Sequence, residues 1–144
     1  MGIETVKINF DHLQRCSLTL DRSLQSLATA EPGSIDYEVF RNAVVKSFEL
    51  TLETAGKLLR KVLKEYAGSP KTVDALVFTD LLRHAALHGL LSAAELERWL
   101  AYRDSRNAAA HHYGEHFAEQ TLRLIIDFQR DALALYETLR QKHG

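Results

Sequence analysis

The chain of 144 residues contains one cysteine, one tryptophan, one methionine and two prolines, and each scarcity excludes something. A lone Cys16 cannot close an internal disulfide, which rules out a disulfide-stapled scaffold and fits a reducing cytoplasm. The opening Met1-Gly2-Ile3-Glu4-Thr5-Val6-Lys7 has no basic segment leading into an apolar core and no small-residue cleavage site, so no secretory signal is expected. Val6 stands where a myristoylation signal carries Ser or Thr. No stretch approaches the roughly 20 apolar residues that a membrane span needs. Long runs of one charge are also missing: 18 Lys and Arg oppose 19 Asp and Glu, a formal net charge of -1, which argues against coating duplex DNA by bulk electrostatics. The expectation is one cytoplasmic domain over residues 1–144, with no membrane association.

Helical periodicity, by contrast, is abundant. Phe10, Leu13, Leu20, Leu24 and Leu27 recur at helical spacing, with Ser17 at the missing step, and predict an amphipathic helix from Asn9 to about Ala28. Glu31-Pro32-Gly33-Ser34 breaks it. Ser34 or Asp36 can then cap a helix of about thirty residues, with Tyr37, Phe40, Val44, Phe48, Leu52, Leu59, Val62, Leu63 and Tyr66 along one face and Gly68 as its end. Ser69-Pro70 supplies a cap and a proline at the first helical position for a third segment that runs to Gly89, helical above all from Thr79. Ser92-Ala93-Ala94-Glu95 has the form of a capping box and opens a fourth helix that buries Leu96, Trp99 and Leu100 and ends near His112, before Gly114. A last helix from about His116 to Gln141 carries Phe117, Leu122, Leu124, Ile125, Phe128, Leu133, Leu135, Tyr136 and Leu139 on one broad side. No alternating apolar segment argues for a strand. The reading is all-α, an antiparallel up-and-down bundle of about five helices, without repeats or low-complexity linkers.

Chemistry concentrates in Arg106-Asn107-Ala108-Ala109-Ala110-His111-His112-Tyr113, where an arginine, an amide, two imidazoles and a phenol surround three small helix formers. Successive residues turn by about 100°, so Arg103, Asn107 and His111 make one stripe and Arg106, Ala110 and Tyr113 the adjoining one. Arg106 and His111 then stand about 140° apart on an ideal helix. They face one phosphate only if the last turn unwinds or a second protomer supplies one of them. The plainer alternative is a helix C-terminus where the histidines interact with free carbonyls and the arginines face water.

The order Arg106, four residues, His111, one residue, Tyr113, at the end of a helix in a short all-α chain, resembles the HEPN motif of proteins that partner minimal nucleotidyltransferases. Phe48 to Leu59 looks like that family's long second helix, and Leu81 to Leu91 like its segment leading to the motif helix, so the likeness spans roughly residues 36 to 130 and reaches the nucleotidyltransferase substrate-binding branch. The resemblance implies a two-protein system, often toxin and antitoxin: a minimal nucleotidyltransferase encoded nearby and this helical partner, as a homodimer or larger assembly. In toxic members the arginine and histidine, here Arg106 and His111, cleave RNA without a metal or other cofactor. The partner silences them by attaching AMP to the motif tyrosine, here Tyr113. Asn107 matches the polar residue that usually follows the arginine. Some members of the branch only present a substrate to the nucleotidyltransferase, and for them the motif is a docking surface.

Other candidates are weaker. His84 and His88 stand four apart but no third zinc ligand accompanies them, and the loose trio of His112, Glu115 and His116 is interrupted by Gly114. Lys57, Arg60, Lys61 and Lys64 give the second helix a basic flank, which reads as a solvated face or as a track steering RNA phosphates. Cys16, between Leu13 and Leu20, reads as a packed thiol, and Trp99 as a core or dimer contact rather than a base-stacking platform.

Overall fold

The structure is a computed structural model. It describes the backbone of residues 9–66, 69–111 and 119–143, and the side chains of these except at 106–111, 119 and 143. Among the described residues there are six helices and no strand: α1 (Asp11–Thr29), α2 (Ile35–Leu63), α3 (Pro70–Asp74), α4 (Phe78–Leu87), α5 (Ala93–His111) and α6 (Glu119–His143). The expected all-α bundle is the observed one, with four long helices and the short α3 and α4 packed on α2.

The heptad-like stripes do the packing. Leu13, Ser17, Leu20 and Leu27 of α1 are all buried, and they lie against α2, whose Val44, Phe48, Leu52, Leu59 and Val62 are buried in turn. The turn between them needs Gly33, whose φ of +84° lies in the left-handed region open to glycine. Ser34 caps α2 as expected, its Oγ accepting from the Tyr37 backbone N–H at 3.1 Å. As the longest helix, α2 touches every other element of the bundle.

The third expected segment is two helices rather than one. Val73, Leu76 and Val77 keep the apolar pattern going, but the chain leaves helix at Ala75–Val77, and Ser69 makes no side-chain cap bond although Pro70 opens α3 as expected. The cause sits on α2. Arg60 Nη1 donates to the carbonyls of Val73 at 2.7 Å and Leu76 at 3.0 Å, satisfying acceptors that a continuing helix would have used itself. Lys64 adds an ion pair to Asp74 at 2.8 Å. Two cations of the supposed basic flank are therefore engaged by α3 and its exit, and Lys57 pairs with Glu53 at 3.1 Å. Gly56, the one break in the α2 pattern, has its own reason: a Cβ there would collide with the Phe78 ring at the start of α4. The absent side chain is what lets α4 seat on α2.

The capping box forms reciprocally, Glu95 N–H donating to Ser92 Oγ at 3.1 Å and Ser92 N–H to Glu95 Oε1 at 3.0 Å. From this start α5 runs unbroken to His111. The bundle centre is aromatic: the Phe128 ring meets Phe48, Trp99 and Tyr102 edge to face, with centroids 4.9, 5.4 and 5.1 Å away. No helix among the described residues is long and apolar enough to cross a membrane.

Candidate functional site

The residues singled out in the sequence fall at the far end of α5. Its backbone is helical through Arg106, Asn107 and His111, whose side chains lie outside the described residues, as does the whole of Tyr113. Because α5 remains helical to His111, the positions of Arg106 and His111 are separated by about 7.5 Å along the axis and about 140° around it. Gly114, the expected stop, and His116 and Phe117, assigned to the last helix, also lie outside the described residues, and α6 is seen from Glu119.

One and two turns before Arg106, α5 is bonded to a buried carboxylate on α6. Asp131, only 7% exposed, accepts a fork from Arg98, Nε to Oδ2 at 2.8 Å and Nη2 to Oδ1 at 3.0 Å, and a further hydrogen bond from the Tyr102 hydroxyl to Oδ2. Arg98 and Tyr102 stand four apart, on one stripe of α5, and Arg106 continues it by one more turn. The bonds of residues 98 and 102 to 131 bring the first half of α5 against the middle of α6.

The electrostatics follow from the geometry. Burial alone would raise the Asp131 carboxyl, but hydrogen bonds from Arg98 and Tyr102 and the Arg98 charge outweigh it and hold the group below the ordinary carboxylate value. Burial pushes the Tyr102 phenol up, and its bond to the Asp131 carboxylate pushes it further. The Arg98 guanidinium, bonded to that carboxylate, is held protonated still more firmly than usual. A depressed folded-state value means that the ionised carboxylate stabilises the fold above its unfolded value, about 3.9, and that this contribution fades as pH falls through the folded value. Asp131→Asn is therefore expected to cost about 1–2 kcal/mol at pH 7, discounted because Arg98 is half in water. The gap between variant and wild type should close below about pH 4 in thermal melts taken across pH. An unchanging gap down to pH 2 would contradict it.

Beside this network the outer face of α6 forms an open depression lined by Gln120, Leu122, Arg123, Ile126, Asp127 and Arg130. Ile126 is 42% exposed there, an aliphatic side chain between two arginines. Of the other sequence candidates, the trio of His112, Glu115 and His116 lies outside the described residues, and the rest take ordinary structural places. His88 stacks on Tyr66 with ring centroids 4.9 Å apart, and no group of three potential metal ligands occurs among the described residues. Trp99 is fully buried in the core, and the Cys16 thiol is half-buried, 3.7 Å from Thr54 Oγ1. Asp131, Tyr102 and Arg98 were missed in the sequence, although Asp131 carries a visible sign: it falls three residues after Phe128 and four before Leu135, on the apolar face.

An all-α bundle in which Arg106 and His111 fall on the last turns of the helix packed on the final one, with Tyr113 following in sequence, defines a class of small helical proteins. The chain belongs to the family described as nucleotidyltransferase substrate binding protein like, which it matches over residues 8–141. It is 28% identical to a Haemophilus influenzae protein named "Probable ribonuclease HepT", over 96% of this chain and 97% of the relative. A solved Haemophilus influenzae structure, described as the fold of a substrate binding domain of a nucleotidyltransferase, superposes with a TM-score of 0.75 at 25% identity, covering 92% of this chain and 99% of that one. The HEPN resemblance read from the sequence thus agrees with family, relative and fold.

Proposed function

We propose that this protein is the HEPN subunit of a two-component system with a minimal nucleotidyltransferase, and that it is a metal-independent endoribonuclease silenced by AMPylation of Tyr113. The observation that carries the reading is the sequence Arg106-Asn107-Ala108-Ala109-Ala110-His111-His112-Tyr113, whose residues 106–111 form the last turns of α5, in a chain with a relative named as a probable ribonuclease along almost its whole length. RNA brings its own nucleophile, the 2′-hydroxyl. Neutral His111 accepts that proton as the oxygen attacks the adjacent phosphorus, and the 5′ oxygen leaves and takes up a proton from a second imidazole or from water. Arg106 binds the phosphate through its planar fork and stabilises the charge gathered on five-coordinate phosphorus. Asn107, one turn before His111, orients the imidazole or binds a ribose hydroxyl.

The wide angle between Arg106 and His111 on a continuous helix supports a homodimer, in which the arginine of one copy and the histidine of the other line a shared cleft. Exposed Ile126, set between Arg123 and Arg130 on the neighbouring face, suits the rim of such an interface. An adenylyl group on Tyr113 would place a phosphodiester beside Arg106, occupying the arginine and excluding substrate. The pair would then be a cytoplasmic toxin and antitoxin. A second reading, favoured by the description of the solved Haemophilus influenzae structure, is a non-catalytic subunit that presents a nucleotide or other substrate to the nucleotidyltransferase.

Cleavage of a mixed tRNA pool by the purified, unmodified protein in excess EDTA separates the two. Cutting that persists in EDTA and stops after incubation with the partner nucleotidyltransferase and ATP is the expected result. Intact RNA at every protein concentration, from protein whose mass shows no adduct, would leave the substrate-presenting subunit as the better account.

A further inference from the structure

The buried Asp131 network lies outside the motif, yet it fixes the helix that carries the motif. Asp131 of α6 accepts three hydrogen bonds, all from two residues on one stripe of α5, and it is itself 7% exposed. A bidentate fork from Arg98 resists rotation of α5, because both guanidinium nitrogens must stay in the carboxylate plane. The Tyr102 hydroxyl, one turn further on, resists sliding. A slip of a single residue would turn α5 by about 100° and shift it by about 1.5 Å, leaving a carboxylate and a phenol buried without partners. Arg106 follows Tyr102 by four residues and Arg98 by eight, so any rotation or translation that the network prevents is transmitted to it along continuous helix.

Hydrophobic packing alone would not give this definition. The described part of α5 offers α6 a smooth apolar contact through Trp99 and Tyr102, and edge-to-face rings tolerate small shifts. Directional hydrogen bonds to a buried carboxylate do not. We infer that Asp131, with Tyr102, is a positioning pair for RNA cleavage: it locks α5 on α6 in the one register that brings Arg106 and His111 to the scissile phosphate. The inference rests on the nuclease reading. It assigns no contact between Asp131 or Tyr102 and the RNA.

Two conservative variants test it. Tyr102→Phe keeps the ring in the aromatic cluster and removes only the hydroxyl, and Asp131→Asn keeps the shape and removes the charge. Leu27→Val, a buried truncation on α1, serves as a control that lowers stability away from α5. Measured well below the melting temperature of each, Tyr102→Phe and Asp131→Asn should lower kcat for RNA cleavage by about 10-fold or more with KM within about 2-fold, because sub-ångström misplacement of reacting groups is costly. The double variant should fall no lower than the worse single one, since the Tyr102 hydroxyl acts through Asp131. Leu27→Val should keep the wild-type kcat. Hydrogen exchange supplies a readout independent of activity: amides in the last two turns of α5 should exchange faster in both network variants and not in Leu27→Val. Wild-type kcat in Tyr102→Phe and Asp131→Asn would overturn the inference. If the wild type cuts no RNA, the nuclease reading fails by itself; faster exchange confined to the network variants then still upholds the locking of α5 on α6, and unchanged exchange overturns that as well.

Discussion

His111→Ala is expected to slow RNA cleavage by about 10²- to 10⁴-fold, the usual contribution of a positioned general base. Arg106→Ala should cost about 10²- to 10³-fold, as removal of a group that stabilises transition-state charge does. Both positions close a helix whose packing is made by Trp99 and Tyr102, one to three turns earlier, so far-ultraviolet circular dichroism and the melting temperature should stay near wild type. Loss of activity without loss of fold is the pattern that identifies chemistry. Mixing the two inactive variants gives a sharper result. In a homodimer whose cleft takes Arg106 from one copy and His111 from the other, a heterodimer of Arg106→Ala with His111→Ala keeps one intact composite site of the two, and subunit exchange should recover part of the activity. A mixture as inactive as its components would mean that each chain supplies both groups to its own cleft.

Trp99→Ala should have the largest effect on stability, about 3–5 kcal/mol, which for a domain of this length corresponds to a fall of about 6–20 °C in melting temperature. Trp99 is fully buried and packs edge to face on both Tyr102, at 5.8 Å between centroids, and Phe128, at 5.4 Å. Truncation opens a cavity at the junction of α2, α5 and α6 that the surrounding rings cannot close without leaving their own partners. Trp99→Phe should cost much less, because the indole Nε1 is buried with no hydrogen-bond partner among the described residues and its removal takes away a desolvated donor along with the lost packing. Chemical denaturation of the two variants beside wild type measures the difference. Equal losses for alanine and phenylalanine would show that the cavity is not what matters.

The long helices were legible because their apolar residues keep helical period. Leu13, Leu20 and Leu27 are buried as the α1 stripe requires, and the capping box at Ser92 and Glu95 marks the start of α5 to the residue. Interactions between elements distant in sequence were not. The gap between α3 and α4 is hidden by Val73, Leu76 and Val77, which continue the stripe; its cause, Arg60, lies on another helix and looks like one more solvated cation. Gly56 looks like a weak point in α2 until Phe78 is seen against it. At the site, the motif from Arg106 to Tyr113 was legible as a cluster of residue types at family spacing. The network one and two turns before it was not, because Asp131 is charged and its burial is decided by its pairing with Arg98 and Tyr102 rather than by its hydropathy.

The tryptophan at the middle of this bundle is also the only one in the chain. Its indole is shielded from water and sits within one turn of Tyr102, on the helix that ends in the motif. The protein therefore carries its own optical probe. Tryptophan emission, excited at the long-wavelength edge where tyrosine does not absorb, comes from one place, on α5, and shifts to longer wavelength when water reaches the indole, as it does when that helix loosens from α6. Seating of that helix can be followed in solution, for instance on mixing with a candidate partner, without introducing a dye.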